Sequence, residues 1–326
     1  MENTLLKVLK CVAVSGDAAN ALINARAEGQ PAPVVRLLEK SLALSSDALA
    51  SDADWRAAQS GFMELVRART LTGRIPGWRR AAFETPALQS TVAPIAGFVG
   101  ENQAVPISTA DLAPVKLTPT KIATILLVTD EVAKGTGPTL EAALSADLTA
   151  AIAAAESAAL IDPTNAGVPD VSPASLTHGI APITSTGNPA NDLAALVGAF
   201  AGDLDRAVLI THPAVAMQLH ARGYEGAGAR GGDVAGIPLF TSASVPSANG
   251  ASLMVLIDPA RVLVADEGVT VDATTQAAVR VTNGSGPAEM ISLWQLNLTG
   301  FLATRRVGWK AATGAVAYVS GINYGA

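Results

Sequence analysis

Cysteine is almost absent from this chain: Cys11 stands alone among 326 residues. A single thiol excludes an intramolecular disulfide framework and a thiolate-held metal cluster, and it suits a reducing compartment. Histidine is nearly as scarce. His178 lies in a turn-rich stretch, while His212 and His220 are separated by Pro213 and share no recognised ligand spacing. Capping and surface roles are expected for them, and no metal site. Aromatic residues make up 4% and charged residues 15%, against 49% apolar residues rich in alanine. The core is therefore built from small aliphatics, and so little charge on a chain of this size points to surface buried between copies.

Other absences narrow the function. The net charge is −6, with 22 basic and 28 acidic residues. That excludes a dedicated nucleic-acid reader, which needs a basic stripe, but not a protein that encloses nucleic acid without gripping it. There is no Walker A sequence, no GxSxG and no HExxH. Gly226, Gly228 and Gly231 match GxGxxG, but this stretch follows a helical pattern and precedes a strand. A dinucleotide site requires the opposite order, so a flexible loop is expected over Gly223–Gly236, with no cofactor. The paired carboxylates Asp52/Asp54 and Asp203/Asp205 read as caps or solvated loop positions, and no catalytic residue is identified. No uninterrupted apolar run approaches the ~18 residues of a membrane span. Glu2, Lys7 and Lys10 interrupt the opening stretch, which reads as an amphipathic helix rather than a signal peptide. A soluble protein that is not exported is expected.

Organisation is clearest from Gly97 to Ile161. An extended, proline-studded segment ends near Lys121, an apolar strand "IATILLVT" follows, and after Gly135, Gly137 and Pro138 comes "TLEAALSADLTAAIAAAESAALI". There Leu140, Leu144, Leu148 and Ile152 recur every fourth residue, defining a helix of roughly 35 Å that stops before Asp162-Pro163. The strand Ile122–Thr129 is apolar on both faces, as a central strand would be. Residues 1–70 read as a helical arm that need not share the main core. One helix there is capped by Ser15 or Asp17, a second carries Val34, Val35, Leu37, Leu38 and Leu42, and a third Trp55, Phe62, Leu65 and Val66. Prolines at 76, 86, 94, 106, 114 and 119 forbid a long helix between Leu71 and Pro119. Nearly fifty residues without a core of their own suit a projecting loop buried against a neighbouring subunit.

Beyond residue 180 helices and strands alternate: a helix at about 190–201, a strand at 206–212, a helix from Pro213, then the strands "GIPLFTS" and "SLMVLID". "RVLVADEGVTVD" reads as two strands turned at Glu267-Gly268, "AEMISLWQLNLTGFLATRRVGW" as one long β-prone run, and "AVAYVSGI" as the last strand. The class is α+β with a mixed or mainly antiparallel sheet. Arg79-Arg80 beside Trp78 and Arg305-Arg306 beside Trp309 are the basic pairs next to aromatics, and intersubunit ion pairs are expected of them.

This order of segments resembles the major capsid proteins of tailed bacteriophages with the HK97-type fold. "GFVGENQAVPIS", around Glu101 and Pro106, is similar to the second half of that family's E-loop. "KIATILLVTDEVAKGTGPTLEAALSADLTAAIAAAESAALI" resembles its return strand, linker and spine helix. "AVLITHPAVAMQLHARG" with "GIPLFTSASVP" matches its A-domain pattern, and "LNLTGFLATRRVGWKAATGAVAYVSG" its C-terminal strands. The likeness spans about residues 70–326.

The resemblance implies an N-terminal arm (1–70), an E-loop region (71–121), a P-domain (122–180, completed by about 284–299) and an A-domain (181–283, completed by about 300–326). It implies hexamers and pentamers closing into an icosahedral shell around double-stranded DNA, in a virion assembled in the bacterial cytoplasm. Portal, scaffold and decoration proteins are the implied partners besides the chain itself; DNA is enclosed without sequence-specific binding, and no membrane is involved. Intersubunit contacts are expected at Arg79, Arg80, Phe98, Glu101, Arg305 and Arg306, with the Gly226, Gly228, Gly231 loop at the capsomer centre. Two departures matter. The first seventy residues are short for a cleaved scaffolding domain, and no lysine lies between Lys40 and Lys116, which implies a shell without E-loop cross-links. An encapsulin-like compartment holding an enzyme cargo is the nearest alternative, and an α+β enzyme using the glycine loop the remote one.

Overall fold

The computed structural model describes residues 4–15, 17–43, 52–90, 98, 99, 101, 112–135, 137–248, 251–281 and 289–325. The chain divides into two compact units, one of Met1–Gly73, Lys121–Ala155 and Glu267–Arg306, the other of Arg74–Thr120, Glu156–Asp266 and Val307–Ala326.

In the first unit the helices Thr4–Ser15, Ala18–Ala27, Ala32–Ala43 and Ala53–Arg67 precede the long helix Gly137–Ile161. The four-residue spacing does what the sequence implied, since Leu144, Leu148 and Ile152 are all buried. Leu5, Leu6, Phe62, Met63 and Val66 join that same core, together with Val269, Val271, Phe301 and Ala303. The N-terminal helices are therefore not detached from the main core. Their apolar stripe is narrower than the sequence suggested: Val34, Leu37 and Leu38 are buried, while Leu42 and Leu65 face solvent. The side chain of Trp55 lies outside the described residues. By length and composition Leu140–Ile161 could cross a membrane, but more than half of it is packed inside the protein, as in a core helix.

One sheet has the strand order Arg79–Arg80, Val262–Thr274, Leu298–Ala311, Thr120–Thr129. Two expectations change here. The apolar strand at 122–129 is not central; it lies at the end of the sheet order, and Ile125 is half exposed. Apolarity on both faces reports what covers the faces and not how many hydrogen-bonded neighbours a strand has, so it does not by itself mark a central strand. The pair of strands turned at Glu267-Gly268 is one continuous strand, Val262–Thr274. Gly268 does take a left-handed φ of +106°, but the chain continues through it without reversing.

The second unit is built on an eight-stranded mixed sheet ordered Ile183–Thr184, Val316–Ile322, Ala251–Ile257, Val208–Thr211, Ile237–Thr241, Gly231–Val234, Ala227–Gly228, with Ser247–Ala248 paired to Ala251–Ile257. Val208–Thr211 pairs in parallel with Ile237–Thr241, aligning Leu209 with Leu239, and antiparallel with Ala251–Ile257, aligning Ile210 with Val255. The helices Pro189–Ala199 and Pro213–Ala221 pack Leu196, Val215, Ala216 and Leu219 on Leu209, Met254, Leu256 and Val319. Each opens with Pro in its first turn behind a side-chain cap: Asn188 Oδ1 accepts from Ala190 N–H, and His212 Nδ1 from Ala214 N–H. The long helix ends before Asp162-Pro163, and its last carbonyls are satisfied by Asn165 Nδ2 on Ala159 O and Thr177 Oγ1 on Ile161 O.

Candidate intersubunit contact site

Backbone pairing fixes the two ends of the segment expected to project. Ala87–Ser90 and Leu112–Val115 form an antiparallel ladder, Ala87 opposite Val115 and Ser90 opposite Leu112. The base has a small core after all: Phe83, Val115 and Leu117 pack against Leu263 and Ala265. Of the segment between the two strands, Phe98, Val99 and Glu101 are described and all three are exposed, Phe98 completely. Pro106 and the rest of this segment lie outside the described residues. An aromatic ring fully in water has no stabilising role inside its own protomer.

The basic pairs resolve differently. Arg79–Arg80 is a short strand pairing in parallel with Leu263–Val264. Arg79 donates to Leu88 O at 2.7 Å, tying the sheet to the hairpin base, and Arg80 lies 4.0 Å from Asp266. Both remain exposed. Arg306 is exposed and 3.4 Å from Glu267. Arg305 is the correction: it is wholly buried, with Nη1 3.3 Å from Met63 Sδ, so it offers no side chain to a neighbouring copy. Alternation along a strand explains the split, since adjacent residues point to opposite faces.

The glycine stretch is also not an open loop. Ala227–Gly228 and Gly231–Val234 form a tight hairpin added to the edge of the eight-stranded sheet. Its glycines serve close backbone approach. A Cβ on Gly226 would lie 2.4 Å from Asp233 Oδ1, and one on Gly231 (φ +107°) 2.6 Å from Leu239 O. The three histidines each have a backbone partner, His178 with Pro163 O, His212 with Ala214 N and His220 with Ala227 O. Among the described residues no group of three or more His, Cys, Asp or Glu could hold a metal ion.

Two buried polar clusters have no local signature in the sequence. Glu141 sits between Lys10 Nζ at 3.5 Å and Lys7 Nζ at 4.0 Å, fastening the first helix to the start of the long one. Asp192 is fully buried and accepts from Ser185 Oγ, Thr186 N, Thr186 Oγ1 and Tyr324 Oη. Burial pushes its pKa up, but the hydrogen bonds from Ser185, Thr186 and Tyr324 outweigh that and hold it below the ordinary value. Single polar residues spaced along a chain carry no signal of such convergence.

An exposed apolar patch lies on the long β-prone run: Met290, Trp294 and Leu296 are all more than half exposed. The long β-prone run breaks there. Glu289–Ser292 is a strand, Leu293–Asn297 a turn, and Leu298–Ala311 the next strand. Asn297 takes φ +52° at this break, in the left-handed region that Asn tolerates.

The family model described as "Phage capsid family" matches residues 58–320. A capsid polyprotein of Pseudomonas phage PAJU2 is 32% identical over 313 residues. That alignment covers 86% of this chain and 47% of the polyprotein, so the chain spans about half the length of its curated relative. Among solved structures, a chain of Mycobacterium phage Bobi superposes with a TM-score of 0.52 at 20% identity, covering 75% of this chain and 88% of that one. A chain of Microbacterium phage Oxtober96 gives 0.52 at 16% identity, covering 76% and 89%. These two likenesses are of fold, and they agree with the HK97-type α+β architecture expected from the segment order. With its family model matched from residue 58 to residue 320, the chain belongs to the phage capsid family.

Proposed function

We propose that this chain is the major capsid subunit of a tailed bacteriophage, assembling with copies of itself into hexamers and pentamers that close an icosahedral shell around double-stranded DNA. The observation that carries this reading is the family match over residues 58–320. The fully exposed Phe98 on a hairpin rooted at Ala87–Val115 supports it, because such a side chain gains most by burial against another copy. In this reading residues 71–121 are the E-loop, the long helix is the spine of the P-domain, and the eight-stranded sheet is the A-domain with its Gly226–Gly231 hairpin toward the capsomer centre. Arg79, Arg80, Phe98, Glu101 and Arg306 are the contact residues. The role is structural rather than enzymatic, in the virion, after assembly in the host cytoplasm.

Many weak, repeated interfaces make closure cooperative although each contact is modest. The net charge of −6 keeps free subunits soluble and leaves enclosed DNA unbound in sequence-specific fashion. Portal, scaffold and decoration proteins are the further partners. The family match does not favour the enzyme-holding compartment. Negative-stain electron microscopy of the purified protein tests the reading: closed shells of uniform diameter are expected, and monomers or small oligomers under all assembly conditions overturn it.

A further inference from the structure

The glycine hairpin at the end of the eight-stranded sheet carries opposite charges at its two ends. Gly228 pairs with Gly231 and Ala227 with Gly232, and Asp233 N–H donates to Gly226 O at 3.0 Å. Arg230 therefore sits in the two-residue turn, while Glu225 and Asp233 flank the base, roughly 10 Å back along the strands. All three are exposed, and none makes a side-chain hydrogen bond or ion pair among the described residues. The surrounding charges keep this polarity. Arg74 donates to Thr241 O at 2.7 Å, and Thr241 Oγ1 donates to Ala229 O at 2.8 Å, so a second guanidinium stands on the side of the turn. At the base, Arg222 is the one cation against two acids, and it is engaged by the Tyr324 carbonyl through Nε at 3.1 Å and Nη2 at 2.9 Å. Ala227–Gly228 is the last strand in the sheet order, so no further strand of the sheet covers the outer side of the hairpin.

We infer that Arg230 of one copy pairs with Asp233 of the next, in a head-to-tail contact repeated around a ring, with Glu225 adding to the acidic side. This rests on the self-assembly proposed above and names one contact within it. A second copy is the fitting partner because it brings both signs on one hairpin. A rotation that sets the turn of one copy against the base of the next satisfies every copy alike, whereas a polyanion such as DNA would be attracted by the turn and repelled by the base. Turn and base are different surfaces of one chain, so the contact is heterologous, the kind that forms rings when the rotation closes. An arginine fork matches a carboxylate with two parallel hydrogen bonds, which fixes orientation as well as charge. One exposed pair of this kind is weak, and a ring repeats it at every junction.

The test is a charge swap in the full chain. Arg230→Glu and Asp233→Lys are each expected to lower shell yield at least tenfold, because each sets like charges against each other at every junction. The double variant Arg230→Glu with Asp233→Lys restores the pair in reverse and is expected to recover yield to within about threefold of the unaltered chain. Melting of the unassembled protomer is expected to be the same in all four proteins, since the pair does not form within one copy. The neutral variants Arg230→Gln and Asp233→Asn disturb the hairpin least, and each is expected to lower yield about threefold and to flatten its dependence on salt. Normal yield with Arg230→Glu, or no recovery in the double variant, overturns the contact while leaving shell formation standing. Failure of the unaltered chain to form shells overturns both.

Discussion

The Tyr324 hydroxyl donates to Asp192 Oδ2 at 3.0 Å, joining residues 132 positions apart in a site where Asp192 is fully buried. The same tyrosine is held through its backbone: Arg222 Nη2 donates to its carbonyl at 2.9 Å and its N–H donates to Gln218 Oε1 at 3.1 Å. Removing the hydroxyl with Tyr324→Phe leaves a buried carboxylate one donor short, at a cost of about 1–2 kcal/mol. Asp192→Ala strands Ser185, Thr186 and Tyr324 together and costs about 3 kcal/mol. Urea denaturation of the unassembled chain measures both.

The same pair sets two pH limits. Asp192 has a lower pKa folded than unfolded, so it stabilises the fold above the ordinary value of 3.8, and that contribution is lost as pH falls through the folded pKa. Tyr324 is the reverse case: burial, then the hydrogen bond to Asp192, raises its pKa above the ordinary 10.0. The folded state keeps a proton that the unfolded chain releases, so stability declines as pH climbs past that value. Melting temperature against pH is expected to lose part of its acid limb in Asp192→Asn and part of its alkaline limb in Tyr324→Phe.

Glu141 gives a prediction about the first helix. Lys7 and Lys10 are nearly buried beside it, so Glu141→Gln leaves two cations facing a neutral group, at a cost of about 2 kcal/mol at these separations. Replacing the cluster by Lys7→Met, Lys10→Met and Glu141→Leu together is expected to be neutral or stabilising, because the desolvation cost goes with the charges. Hydrogen exchange over Thr4–Ser15 reads the difference: faster in the single variant and restored in the triple one.

What the sequence made legible follows from periodicity and punctuation. The long helix was readable because Leu144, Leu148 and Ile152 repeat every fourth residue between Pro138 and Asp162-Pro163. The edge position of Thr120–Thr129 was not, since side-chain apolarity reports face cover and says nothing of how many strands pair with the backbone. Arg305 could have been foreseen. Once Leu298–Ala311 is taken as one strand, Arg305 and Arg306 must face opposite ways, and only one can be a surface residue. The Asp192 and Glu141 clusters depend on long-range convergence, on which no local pattern bears.

The glycine hairpin separates steric from conformational cost. Gly231→Ala combines a left-handed φ with a Cβ 2.6 Å from Leu239 O, so backbone must move, and a loss of about 2–4 kcal/mol is expected. Gly236→Ala has φ +82° but open space around its Cβ, and about 1 kcal/mol is expected. Equal losses on denaturation would show that close packing of the hairpin contributes nothing.

The segment between Ala87–Ser90 and Leu112–Val115 gives the last prediction. A covalent link from the segment between Ala87–Ser90 and Leu112–Val115 through a lysine amine is impossible, because no lysine lies between Lys40 and Lys116. Lys116, just past the second strand, is paired with Glu84 at the base of the hairpin, far along the chain from the exposed Phe98. Shells should therefore be held by packing and polar contacts, and boiling in detergent should return a single band at the mass of the chain. Phe98→Ala is expected to lower shell yield without changing that band, because it removes buried apolar area and no bond. A ladder of covalent multimers from the unaltered protein under reducing conditions would require a different reactive pair outside this segment, and would overturn the non-covalent shell.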